Sequence, residues 1–142
     1  MSPLESRAWL FLAGLCPAYA VYFALQLASP AWLTTMLERM ACLAAAAGVH
    51  ATVYVAGLVA LKRKERGQGL FADERDRAID ARAMRIAYYV LLTGAILVGV
   101  MMPFNHGGWE IVNAALFAIV VAEAVRNASI VLGYRGTPRF AH

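Results

Sequence analysis

Three aspartates, Asp73, Asp76 and Asp80, alternate with arginines in the stretch Asp73-Glu74-Arg75-Asp76-Arg77-Ala78-Ile79-Asp80-Ala81-Arg82, the densest set of ionisable groups in the chain. Placed on a helix at about 100° per residue, Asp73, Asp76 and Asp80 share one side, while Arg75, Arg82 and Arg85 share the opposite one. Such a helix admits three uses. It can be a solvated stalk whose carboxylates are stabilised by the helix N-terminus and whose arginines meet anionic headgroups. Its acidic stripe can instead dock something basic, either an arginine of the same chain or a protein partner, with Asp73, Asp76, Asp80, Arg75 and Arg82 as the contact set. A divalent metal is the third use. An all-oxygen cation site needs about six ligands or more, and no further carboxylates cluster here, so no metal site is expected.

A second polar set, Glu123, Arg126 and Asn127, interrupts an otherwise apolar run near the C-terminus. Ionisable groups inside a membrane-spanning helix are functional candidates by default. Spacing i, i+3 allows Glu123 and Arg126 to pair with each other, which would make them a packing device, or to line a transport path. Arg126 could also reach down to the acidic stripe. His50, with Tyr54 one turn on, stands alone in the second run. A hydrogen-bonded histidine inside a bundle is the simple reading, and a haem or quinone ligand the sharper one. His106 and His142 fall at other depths, so no axial pair forms and no cofactor is expected.

The cluster Lys62, Arg63, Lys64 and Arg66 closes the second apolar run. Abutting a bilayer, it fixes topology and meets anionic lipid. It is short and lacks interleaved aromatics, so nucleic acid is not an expected partner. No P-loop, Cys-x-x-Cys pair or Ser-His-Asp order occurs, and no catalytic residues are assigned: the chain does not read as an enzyme.

The elements that must carry these groups follow from composition. Of 142 residues, 61% are hydrophobic and mean hydropathy is +0.59, beyond the roughly 45 to 50% apolar content of soluble domains. A spanning helix needs about 20 apolar residues, and four runs qualify: 8–28, 40–61, 83–102 and 109–132. They predict an all-α polytopic membrane protein, one domain over 1–142, with four transmembrane helices arranged as two hairpins in a four-helix bundle. Ser29-Pro30, Lys62-Arg63-Lys64, Pro103 and Asn105-His106-Gly107-Gly108 punctuate the runs, and Trp9, Trp32 and Trp109 fall at their ends, the level aromatic belts prefer.

Eight of the 13 basic residues lie between Lys62 and Arg85, so segment 62–82 is expected in the cytoplasm. Both termini then share that side, in the cytoplasmic (inner) membrane of a prokaryote. Arg7, the following apolar stretch and Ala18-Tyr19-Ala20 imitate a signal peptide, but the run continues to Ala28 and is read as a retained helix. Cys16 and Cys42 sit at different depths, which disfavours a disulfide. The run Ala44-Ala45-Ala46-Ala47-Gly48, with Ala51 and Gly57, has small residues at close-packing spacing, for a neighbouring helix or a second copy of the chain.

Within the charged segment, Asp73 is the expected helix cap, with Asp76 at the third helical position. Nothing breaks the helix from there to Pro103, so the third span should project two to three turns into the cytoplasm. At Asp73-Glu74-Arg75-Asp76-Arg77-Ala78-Ile79 and the following Ala83 and Arg85-Ile86-Ala87-Tyr88-Tyr89, the chain resembles a family of small prokaryotic four-helix membrane proteins with an Asp-Glu-Arg-Asp/Glu-x-x-Ile signature before the third span. The resemblance covers about 20 residues. It implies a membrane component of a regulatory pair, encoded beside a helix-turn-helix repressor, and carries no catalytic residues. Three functions stay open: a membrane regulator or binding protein that presents residues 62–82 to a cytoplasmic protein, a small oligomeric transporter or channel using Glu123 and Arg126, and a membrane subunit of an oxidoreductase using His50.

Overall fold

A computed structural model describes residues 2–28, 30–65 and 74–135. Arg66, Asp73 and the residues after 135 lie outside the described residues, as does the side chain of Lys64, so the expected Asp73 cap and the basic loop carry no structural account. The described residues form α1 (Pro3–Ala28), α2 (Met36–Glu65), α3 (Glu74–Ile96) and α4 (Gly108–Arg135). The protein is all-α, and its four helices are each long and apolar enough to cross a membrane.

Local chemistry starts α1 five and α2 four residues ahead of their apolar runs and α4 one residue ahead. At α1, Ser2 Oγ accepts the Glu5 amide at 3.1 Å, and Pro3 occupies the first helical position, where its missing N–H costs nothing. At α2, Thr35 Oγ1 accepts the Glu38 amide at 3.3 Å while Glu38 Oε2 accepts the Thr35 and Thr34 amides at 2.8 and 2.9 Å. This reciprocal capping box satisfies backbone donors that a helix start leaves bare. At α4, Glu110 Oε2 accepts the Gly107 amide at 3.3 Å.

The end of α3 departs from a simple stop at Pro103. Leu97–Met101 form a π-helical turn, followed by a 3-10 turn at Met102–Phe104. The Met102 amide reaches back to the Leu97 carbonyl, one residue further than an α-helical bond. Pro103 has no N–H to continue the ladder, so the widened turn and the tighter one after it re-route the carbonyls before the connection to α4.

The helices cluster into two compact units. One comprises residues 9–70, in which α1 and α2 run antiparallel: a Cβ on Gly57 would overlap Leu10, and one on Gly14 would come within 3.0 Å of His50. The other comprises residues 1–8 and 71–142. Here α3 and α4 pack antiparallel over their length, with Ala83, Ala87, Ala122, Ile130 and Val131 buried. Gly94 permits a close approach, since a Cβ there would meet the Ala118 Cβ at 2.6 Å. Large apolar side chains are exposed on every helix, among them Val21, Val49, Leu92 and Phe117.

Candidate functional site

The polar groups of the α3–α4 unit meet at one end of the pair, where the first two turns of α3 lie beside the last three of α4. Asp76 and Asp80, one turn apart on α3, both address α4. The Arg126 guanidinium donates from Nη2 to Asp80 Oδ1 at 3.2 Å, and the Tyr134 hydroxyl donates to Asp76 Oδ1. Arg126 and Tyr134 are eight residues apart on α4, close to two turns and so on one face. The result is a two-rung clasp.

Its neighbours are set by the same geometry. Arg75 lies with its guanidinium carbon 5.7 Å from the centre of the Tyr134 ring, a cation–π distance. Asn127, buried, donates its side-chain amide to the Glu123 carbonyl at 2.8 Å, so this polar residue satisfies itself within α4. Arg77, Ala81 and Arg85 follow at i, i+4 and i+8 on the face turned away from α4, and all three are exposed.

Of the two docking possibilities for the acidic stripe, an internal arginine is the one formed among the described residues. Arg126 takes Asp80 and not Glu123, so the i, i+3 pair between Glu123 and Arg126 is absent from the ion pairs among the described residues. The reason is register. Arg126 projects toward the polar end of α3, where a carboxylate waits one helix away. Sequence reasoning missed Tyr134, whose signal was its place just beyond the apolar run, at the level where a polar tip finds a partner. The sequence-predicted residues thus separate: Asp76, Asp80, Arg75 and Arg126 come together, Arg82 stands beside them, Asn127 turns back to the Glu123 carbonyl within α4, and the Glu123 carboxylate takes no part in the clasp.

His50 belongs to the other unit. Its ring meets Phe11 edge-on at 4.8 Å, Tyr19 at 6.0 Å and Tyr54 at 6.4 Å between centroids, and its Nε2 is buried with no hydrogen-bond partner among the described residues. The bare Cα of Gly14 lets the ring come this close. Of the small-residue run in α2, Ala46 is buried, while Ala44, Ala45, Ala47 and Gly48 are exposed. Lys62 and Arg63 are exposed at the end of α2. Among the described residues no group of three or more His, Cys, Asp or Glu side chains is placed to hold a metal ion.

No protein-family profile, curated protein or solved structure matches the chain.

Proposed function

We propose that this chain is a multi-pass protein of a prokaryotic inner membrane, its helices paired as two hairpins and both termini in the cytoplasm, and that it binds a cytoplasmic protein through the start of α3. The observation that carries this reading is the clasp. Because Asp76 and Asp80 are engaged by Tyr134 and Arg126, the beginning of α3 is held at a fixed rotation against α4, with Arg77 and Arg85 outward. A solvated stalk would need no such rotational lock. Arg77 and Arg85 against Glu74, exposed on the same face, leave this surface net basic, and its complement on the partner is acidic.

That assignment shifts the contact set. Asp76 and Asp80 act as braces, and the residues a partner touches are Arg77 and Arg85. Membership of a regulatory pair, implied by the sequence resemblance, is compatible with this surface and adds no residue to it. The transport reading has less to stand on, because Arg126 turns to Asp80 and away from a path with Glu123. His50 has three aromatic neighbours around its ring, as a packed core residue would.

Photo-crosslinking in intact cells tests the proposal. A photoreactive side chain at position 77 or 85 should give a discrete adduct with one cytoplasmic protein, and the same group at position 76 should crosslink only within the chain. An Arg85→Glu change should abolish the adduct from position 77 without altering expression. Absence of any adduct from both outward positions would remove the binding-protein reading.

A further inference from the structure

Beside the clasp, α3 and α4 leave an open groove of about 550 Å³. It exists because small residues line its sides: Ala78 and Ala83 on α3, Gly133 on α4. Two arginines stand over it, Arg75 and Arg82, seven residues and therefore two turns apart, about 10 Å along the axis. The contacts Asp76–Tyr134, Ile79–Gly133 and Gly94–Ala118 fix the register of the pair and bring Ser129 level with Arg82. One turn beyond Arg82 the α3 side of the lining turns apolar at Ile86, which is exposed, while Leu132, level with Ile79, is exposed on the α4 flank.

We propose that this groove binds one anionic phospholipid, its phosphate held by Arg75 and Arg82 beside Leu132 and its first acyl methylenes laid against Ile86. Charge complementarity selects the occupant. No carboxylate lines the groove, Asp80 is neutralised by Arg126, and Arg82 has no ion pair among the described residues. Arg75 faces the Tyr134 ring, a contact that leaves its N–H donors available to phosphate oxygens. A free phosphate would use the arginines and leave the apolar end empty. A zwitterionic lipid would bring its own cation against them. Only an anionic lipid uses both ends, and basic grooves between helices at the headgroup level recognise such lipids on these terms. The lipid site requires membrane insertion and is independent of the protein partner.

The test is the association of spin-labelled phosphatidylglycerol and spin-labelled phosphatidylcholine with the full chain in phosphatidylcholine vesicles. Each arginine near the headgroups contributes about 1 kcal/mol, about fivefold in association. Wild-type protein should therefore prefer phosphatidylglycerol, and Arg75→Gln with Arg82→Gln should bring the preference near unity. Arg77→Gln with Arg85→Gln removes the same charge from the outward face and should leave most of it. Ser129→Phe fills the groove without changing charge and should also abolish it, which keeps the site testable if the arginine variant fails to insert. Equal losses from the two arginine pairs would mean diffuse attraction and overturn the site, as would displacement of the lipid by millimolar inorganic phosphate. Loss of the photo-crosslink with lipid selectivity intact would instead count against the protein partner alone.

Discussion

At the scale of single residues, Arg126 decides how the polar set is organised, because it had a carboxylate available three residues back and took one on another helix. With side chains 31% and 40% exposed, the Arg126–Asp80 pair lies between surface pairs, under about 1 kcal/mol, and buried ones, whose disruption costs about 3 to 5 kcal/mol. Arg126→Leu should therefore lower stability in detergent by about 2 kcal/mol, read as a shift in thermal unfolding. Adding Asp80→Leu should recover most of it, and adding Glu123→Leu should recover little. Rescue by Glu123→Leu would show that the local pair is the operative one. Tyr134→Phe, which removes the donor to Asp76, should cost about 1 to 2 kcal/mol. The residue types were legible in the sequence, since Asp76, Asp80 and Arg126 all stood out as charges needing partners. The sequence also offered Arg126 to both Glu123 and the acidic stripe, and the choice between them was not legible, because i, i+3 proximity is written in the chain and proximity between α3 and α4 depends on a register that no local pattern specifies.

At the scale of elements, the helices were legible from apolar run length, and so was the start of α3 ahead of its run, but the starts of α1 and α2 were misplaced by five and four residues because caps are polar and lie outside those runs. Thr35-x-x-Glu38 and Ser2-x-x-Glu5 are capping boxes in plain view, passed over when hydropathy alone sets the boundary. The π turn at Leu97–Met101 was not legible: Pro103 announces an ending without saying how the preceding carbonyls are re-paired. Contact between α3 and α4 leaves no room for a Cβ at Gly94, and this yields a paired test. Gly94→Ala should destabilise the protein by about 1 to 3 kcal/mol, as overpacking does, because the Ala118 Cβ is on a short, rigid side chain and cannot swing away. Ala118→Gly in the same chain should restore most of the loss. Gly48→Ala is the counterpart, with nothing within 4 Å of its added Cβ, and should be neutral or stabilising by up to about 1 kcal/mol. Equal penalties at Gly94 and Gly48 in thermal unfolding would mean that Gly94 is not a close-packing point.

At the scale of the whole molecule, the asymmetry of charge is the constraint every other feature must satisfy. Eight basic residues between Lys62 and Arg85 stand against none from Pro103 to Gly108, and basic residues flanking spans are retained on the cytoplasmic side. The antiparallel packing of α3 on α4 places the start of α3 and the end of α4 together, and with them Arg75, Arg77, Arg82 and Arg135. Both partner contact at Arg77 and Arg85 and lipid contact at Arg75 and Arg82 require that end to face the cytoplasm. Reporters fused after Gly67 and after His142 should therefore both read as cytoplasmic, and one inserted between Asn105 and Gly108 as external. Neutralising Lys62, Arg63 and Lys64 together should weaken this bias without inverting it, because Arg75, Arg77, Arg82 and Arg85 remain on the same side. A periplasmic signal from the Gly67 fusion would remove the cytoplasmic partner and move the lipid site to the other leaflet, since the same few residues carry the topology and both contacts.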